Sequence, residues 1–205
     1  MCDAVMFGQL CSGNVCNTQR IIDKWGKGHY GASRCEAAAH SWMSAGGVGR
    51  LHKGVDIKCS DGLEVLARFD VTIEGSLIVY NDPNKKAIDE GITLSGEGQS
   101  TAHLVTDCVI DPGFDLMTEW LCLCPAGLCF KLFYVKPIKT SGTVVKGEKI
   151  GTMLPMQSVY PGITSHIHVQ MCNRSLDPTE YLPNLCLDKS EEWLYRQDYL
   201  RRYYG

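Results

Sequence analysis

The sequence predicts a mainly β protein, built as an antiparallel sheet or a sandwich, and two observations favour this class. Short runs of β-branched and aromatic residues have the length of strands: "GVDIKC", "LEVLARFDVTIEGSLIVY", "GITLSG", "CFKLFYVKPI" and "HIHVQMC". Turn signals separate these runs, namely "SDG", "NDPN", "TSG" and "KGEK". Many short strands with close turns are typical of antiparallel sheets and sandwiches.

The segments on either side of these runs have a different character. Residues 11–50 are rich in Gly, Ser and Asn and have weak periodicity, which predicts an irregular wrap. In the last stretch, "DKSEEWLYRQDYLRRYYG", Asp188 stands three positions before Glu191 as in a capping box, and Arg201 and Arg202 come late. This pattern predicts a C-terminal helix that docks on the body of the protein.

Length and charge limit the architecture and exclude some partners. A chain of 205 residues is long enough for one domain with a core and too short for two full domains. We expect that domain at residues 11–182, after a leader remnant or non-native start at 1–10 and before a helical tail at 183–205. The formal net charge of -3, with acidic and basic residues interspersed, argues against a nucleic-acid partner. No apolar run is long enough for membrane insertion.

The cysteines predict disulfides and an extracellular location. Eleven cysteines are scattered along the chain without paired Cys-x-x-Cys zinc spacings, which favours disulfides and an oxidising compartment. The start, "MCDAVMFGQLC", is too short and too weak for a secretory leader, so either the leader is missing from this sequence or the compartment is a different one. The odd number of cysteines allows a disulfide-linked dimer.

Two short motifs contain residue types that bind metal ions. In "HKGVD", His52 and Asp56 are four residues apart, and a neutral imidazole and a carboxylate are both good zinc ligands. In "SHIHVQ", His166 and His168 share one face if the stretch is a strand. Either histidine can supply the third ligand of a tetrahedral site with one open position. The residues alone leave open whether both bind, whether one binds and the other handles protons, or whether the pair is accidental.

Together the two motifs resemble those of the lysostaphin-like, or LytM-type, zinc metallopeptidases, which cut peptide bonds in bacterial cell walls. The resemblance consists of an early His-x-Gly-x-Asp before a strand and a late His-x-His on another strand, in a glycine-rich β chain. It implies a lysostaphin-like fold in which His52, Asp56 and His168 bind Zn2+. The other histidine, His166, then takes the place of a catalytic residue.

Longer blocks are similar to the leukocyte cell-derived chemotaxin 2 family and its avian myeloid-protein relatives. They include "GHYGASR", "HKGVDIKCSDG", "FKLFYVKPIKTSG" and "VKGEKIGTMLPMQSVYPGITSHIHVQMCNRSLDPTEYL". The similarity implies a secreted zinc-binding protein that attracts leukocytes and binds cell-surface receptors. It also implies two disulfides, Cys11 to Cys59 and Cys129 to Cys172.

The same resemblance bears on catalysis. The peptidases carry a second catalytic histidine in a Tyr-x-His stretch, where this chain has "YVKP" with Lys136. A protonated lysine beside zinc adds positive charge where a neutral base is needed. We therefore expect zinc binding without hydrolysis, with His166 and Lys136 as vestiges of the catalytic pair. The residues alone leave open whether Lys136 lines the site or is a solvated lysine before a proline turn. The alternatives are an active zinc endopeptidase that acts on bacterial cell-wall peptide bridges, and a metal-free interaction module.

One segment interrupts the similarity. Residues 99–127 lie where the family passes almost directly from one strand-like run to the next. The codons of this segment can end in a pyrimidine-rich run closing in CAG, as introns do, so one hypothesis is translated intron sequence. The other is a lineage-specific loop, since long insertions at hairpin tips cost little closure entropy. Transcript sequencing across the segment distinguishes the two.

Overall fold

The computed structural model describes residues 8–33, 51–96 and 128–182, and in these ranges the chain forms eleven β-strands. In chain order the strands are β1 (Ile22–Asp23), β2 (Gly26–Lys27), β3 (Val55–Lys58), β4 (Glu64–Leu66), β5 (Val71–Ile78), β6 (Glu90–Gly96), β7 (Cys129–Phe133), β8 (Val135–Pro137), β9 (Gly142–Val144), β10 (Lys149–Met153) and β11 (His166–Met171). The same ranges contain one α-helical turn, α1 (Met156–Val159), and two 3-10 helices, Pro83–Ile88 and Pro178–Tyr181. None of the helices in the described ranges is long and apolar enough to cross a membrane.

The described strands form three antiparallel sheets. Strands β1 and β2 make a small hairpin, and β4, β10 and β8 make a three-stranded sheet in that order. The largest sheet has six strands in the order β3-β11-β7-β6-β5-β9. All of their strand pairs are antiparallel. The mainly β, antiparallel class predicted from the sequence is confirmed.

An apolar core takes side chains from both larger sheets. It includes Ile57 on β3, Ile167 on β11 and Ile92 on β6, together with Val65 on β4 and Ile150 on β10, and all five are fully buried. Burial of this apolar surface is the main favourable contribution to folding. The core therefore fixes the positions of β3 and β11, the two adjacent strands that carry most of the predicted metal ligands.

The N-terminal wrap covers the side of β3 that faces away from β11. The amide of Arg20 donates to the carbonyl of Asp56, the amide of Asp56 donates to Gly28, and the amide of Lys58 donates to Thr18. Because β11 pairs with the other side of β3, the strand has backbone partners on both sides. The wrap is thus positioned against the strand that contains a predicted ligand.

Two disulfides hold the strands of the predicted site. Cys11–Cys59 joins the wrap to the residue that follows β3. Cys129–Cys172 joins the first residue of β7 to the residue that follows β11. These are the two pairs that the family resemblance implies, and each one crosslinks neighbouring chain segments far apart in sequence.

The structure differs from the sequence prediction in several places. Strands β9 and β10 are not predicted, because each is short and lies beside the turn signals "TSG" and "KGEK". The run "CFKLFYVKPI" is two strands, since Tyr134 between β7 and β8 has a φ of 68°. Leu10 is buried and its amide donates to the Asn17 side chain, so residues before the predicted domain start at Cys11 pack on the fold. The predicted C-terminal helix at 183–205 and the segment 99–127 lie outside the described residues.

Candidate metal centre

The structure brings His52, Asp56 and His168 into one cluster. Asp56 and His168 are opposite each other in the register of β3 and β11, and His52 lies just before β3. One ligand atom from each residue lies within 4.8 Å of the other two. Asp56 Oδ1 is 3.0 Å from His168 Nδ1 and 3.3 Å from His52 Nε2, and the two imidazole nitrogens are 2.8 Å apart. All three side chains are buried, with exposed fractions of 3%, 0% and 7%.

The ring of His52 is oriented by the backbone. Its Nδ1 lies 2.8 Å from the carbonyl oxygen of His29, and a carbonyl can only accept, so Nδ1 carries the proton and donates. The other ring nitrogen, Nε2, therefore faces Asp56 and His168. A histidine that binds metal through one nitrogen and donates from the other to a carbonyl is the usual arrangement in metalloproteins.

Gly54 allows the close approach of the two strands at this point. A Cβ atom at Gly54 would collide with the backbone oxygen of Val169 and with the ring of His168. The glycine in the "HKGVD" motif is therefore a packing requirement of the site, because a side chain there would displace a predicted ligand.

His166 lies beside the cluster and faces it. Its Nδ1 donates to the carbonyl of Thr164 at 2.7 Å, and its Nε2 faces Asp56 Oδ2, 3.4 Å away. Burial lowers the pKa of His166, although Asp56 opposes the shift. The ring lies on the same strand face as His168, as the alternation of the strand predicts.

Asp56 remains ionised at the centre of this cluster. Burial alone raises the pKa of its carboxyl, but the surrounding His166, His168 and His52 outweigh that effect and place the pKa well below its usual range. A carboxylate without solvent access needs such partners.

Arg20 is a neighbour of the cluster that sequence reasoning missed. Its guanidinium is 2% exposed, and Nη1 donates to Asp56 Oδ2 at 2.8 Å. The same side chain donates from Nε and Nη2 to the carboxylate of Asp23, at 2.9 and 2.7 Å. A single arginine in a Gly-rich wrap has no spacing that identifies it, so only the folded chain shows this role.

Two aromatic rings from consecutive positions contact the histidines of β11. Phe133 stacks on His168 with ring centroids 5.0 Å apart, and Tyr134 meets His166 edge-on at 5.8 Å. Consecutive residues of a regular strand point to opposite faces, but the positive φ of Tyr134 breaks the alternation. The hydroxyl of Tyr134 lies 2.6 Å from that of Tyr80, so a tyrosine pair flanks His166.

Lys136 lies in the three-stranded sheet and not in the sheet that carries Asp56 and His168. The residue lies on β8, pairs with Thr152 of β10 in the three-stranded sheet, and has an exposed side chain. Tyr134 is the residue of this segment that contacts His166. The exposure of Lys136 favours the solvated lysine over the site-lining one, and its vestigial catalytic role stays a prediction.

The donor set fits zinc. Two imidazole nitrogens and one carboxylate oxygen, each from a buried side chain, are a common zinc ligand set. Mg2+ and Ca2+ prefer sites made of oxygen atoms alone. The fold and the cluster thus define an antiparallel β protein with a candidate His-Asp-His metal site.

Comparison with known proteins identifies the family. The chain is 38% identical over 176 residues to leukocyte cell-derived chemotaxin-2 of Mus musculus, covering 86% of this chain and 87% of that protein. It is 39% identical over 173 residues to the Bos taurus protein of the same name, covering 84% and 85%. Identity to myeloid protein 1 of Gallus gallus is 38% over 173 residues, covering 84% of this chain and 40% of that protein. The chain belongs to the leukocyte cell-derived chemotaxin-2 family.

Comparisons with family profiles and with solved structures give weaker information than the related sequences. No protein-family profile matches the chain. A crystal structure of a Helicobacter pylori protein is similar at a TM-score of 0.41 and 14% identity, covering 98% of this chain and 44% of that one. A zinc-containing peptidase from Vibrio cholerae is similar at a TM-score of 0.36 and 12% identity, covering 76% and 38%. Scores this low carry no inference about activity.

Proposed function

We propose that this chain is an extracellular, zinc-binding signalling protein that attracts leukocytes through cell-surface receptors and does not cut peptide bonds. The observation that carries the proposal is the family membership, since relatives named chemotaxins match the chain over most of both lengths. The disulfides that crosslink the wrap, β3, β7 and β11 support an oxidising, extracellular location.

Zinc in this proposal is held by His52, Asp56 and His168. The ion would link β3 to β11 and the residues before β3, so its binding free energy would contribute to folding. Bound zinc in general acts as a Lewis acid that polarises water or a carbonyl. The protein's own residues orient the ligands: the carbonyl of His29 sets the ring of His52, and Arg20 holds the second oxygen of Asp56.

The surroundings of the cluster argue against hydrolysis. The predicted ligands are almost completely buried, which leaves a peptide substrate little access. Burial lowers the pKa of His166, but the ring that contacts it is Tyr134, whose hydroxyl lies 2.6 Å from that of Tyr80. Burial and the neighbouring Tyr134 raise the pKa of Tyr80, so its hydroxyl stays protonated and cannot act as a second base.

An active zinc endopeptidase is the second candidate, and one observation favours it. Nε2 of His166 lies 3.4 Å from Asp56 Oδ2, beside the predicted metal ligands, which is where a general base would stand. This geometry is also what a protein descended from an enzyme would retain. Activity measurements are needed to separate the two.

The test uses oxidatively folded wild type, His168→Ala and a matched control, His29→Ala. The control removes an exposed imidazole near the site and keeps the carbonyl that orients His52. We expect one zinc per chain in wild type and control and none in His168→Ala. Migration of leukocytes toward the zinc-loaded wild type supports signalling, whereas no migration contradicts it. Turnover of a pentaglycine substrate that disappears in His168→Ala would show that the protein is a peptidase.

A further inference from the structure

Arg20 links Asp56 to the β1-β2 hairpin through four hydrogen bonds. All three guanidinium nitrogens have acceptors: Nε and Nη2 bond the carboxylate of Asp23, Nη1 bonds Asp56 Oδ2, and Nη2 also bonds the carbonyl of Gly26. Such bonds between ionised groups are shorter and stronger than neutral ones. The planar guanidinium is therefore fixed in one orientation between two carboxylates.

Asp23 is itself fixed by the backbone. Its Oδ1 accepts from the amide of Trp25 and its Oδ2 from the amide of Thr164, both at 2.8 Å. Thr164 belongs to the segment that leads into β11, and its carbonyl is the one that orients His166. Arg20 and Asp23 thus connect the β1-β2 hairpin, β3 and the start of β11.

As a consequence, the two carboxylate oxygens of Asp56 face different partners. Oδ2 lies 2.8 Å from the arginine, and Oδ1 faces His52 Nε2 and His168 Nδ1. A metal ion bound to both oxygens would lie close to the positive guanidinium in a buried site. Repulsion between the two positive charges disfavours that mode, and Oδ1 remains as the metal-binding atom.

We propose that Arg20 is a positioning residue that holds Asp56 Oδ2 and leaves Oδ1 to bind the metal ion, and so sets the zinc affinity of the site. The inference rests on the proposed function, in which this cluster binds zinc. Lysine cannot replace Arg20 because a single ammonium group lacks the fork that spans Asp23 and Asp56 together. Residues that orient zinc ligands typically change the affinity by about 10- to 100-fold when they are mutated.

The variants separate charge from geometry. Arg20→Lys keeps the positive charge and loses the fork, Arg20→Met loses both, and Asp23→Asn keeps Arg20 while weakening its anchor. Lys58→Met is the matched control, because Lys58 is an exposed cation on β3, two residues from Asp56, without a part in this network. Near-UV circular dichroism checks that each variant is folded.

Two measurements decide the outcome. Competition with a chromophoric chelator gives the zinc affinity, and the visible spectrum of the Co2+-substituted protein reports the coordination number, since four-coordinate Co2+ absorbs more strongly than five- or six-coordinate Co2+. We expect Arg20→Lys and Arg20→Met to bind zinc about 10- to 100-fold more weakly and to show weaker Co2+ absorption. Asp23→Asn should shift both in the same direction by less, and Lys58→Met should match wild type.

The results that would overturn the inference are distinct from those that concern the proposed function. A folded Arg20→Lys or Arg20→Met protein with wild-type zinc affinity and an unchanged Co2+ spectrum rules out the positioning role. If Arg20→Met does not fold, the same comparison with Arg20→Lys and Asp23→Asn decides. A wild type that binds no zinc contradicts the proposed function and this inference together.

Discussion

The two faces of β11 are both buried, but one carries apolar side chains and the other carries polar ones. Ile167, Val169 and Met171 point into the apolar core, whereas His166 and His168 point toward the metal cluster. The apolar face needs only volume and shape complementarity. Each polar group on the other face needs a partner, and the carbonyl of Thr164 and the carboxylate of Asp56 supply these. The same degree of burial thus supports stability on one face and chemistry on the other.

The largest expected effect on stability lies on the apolar face. Ile167→Ala should lower the free energy of unfolding by about 2–5 kcal/mol, because it leaves a cavity in a fully packed core. Urea unfolding in the presence of a chelator measures this without any contribution from zinc. The exposed Ile78→Ala on β5 is the matched control and should change the value by less than about 0.5 kcal/mol. Equal losses at both positions would contradict the assignment of Ile167 to the core.

On the polar face, the effect should depend on metal. Zinc at 100 times its Kd should stabilise wild type by about 2.7 kcal/mol, and His168→Ala should lose this increment entirely. Unfolding measured with and without zinc gives the increment as a difference. Retention of the increment in His168→Ala would mean that zinc binds elsewhere, and its retention in His29→Ala is expected.

Asp23, which anchors Arg20 behind the polar face, should make the free energy of unfolding depend on pH. Burial raises the pKa of Asp23, but the hydrogen bonds from Arg20 and from the Thr164 and Trp25 amides lower it well below its usual value. A lowered pKa in the folded state stabilises the fold above the unfolded pKa of about 3.9, and this contribution is lost as the pH falls below that value. Asp23→Asn should therefore cost about 1.5–3 kcal/mol at neutral pH and less in acid.

Unfolding of wild type and Asp23→Asn between pH 6 and pH 2, in chelator, checks this expectation. The difference between the two proteins should shrink toward low pH. A difference that stays constant across the range would show that Asp23 stabilises the fold only through neutral hydrogen bonds.

The smallest effect is expected at Lys136. Its exposed side chain on β8 should contribute less than about 0.5 kcal/mol, and Lys136→Ala should leave the zinc affinity unchanged. Chelator competition and urea unfolding on the same sample test both statements. A clear change in zinc affinity would instead support a role for Lys136 at the metal site.

Much of the candidate site was within reach of the sequence. The spacings of "HKGVD" and "SHIHVQ" identify His52, Asp56 and His168, because strand alternation and zinc chemistry both constrain them. Arg20 was out of reach, since a lone arginine in a wrap has no periodic signal. Tyr134 was also out of reach, because its effect depends on a backbone conformation that a β-rich run does not indicate.

The sequence by itself determined the class of fold and the chemical types at the centre, because both follow from local patterns: alternating apolar residues, turn residues and the separation of histidines along a strand. Only the tertiary structure decided which groups surround them. The pairing of β3 with β11 sets Asp56 opposite His168, and the folding of the wrap over β3 buries Arg20 against Asp56. Such contacts join residues distant in the chain, and they depend on how separate elements pack, which no local pattern encodes.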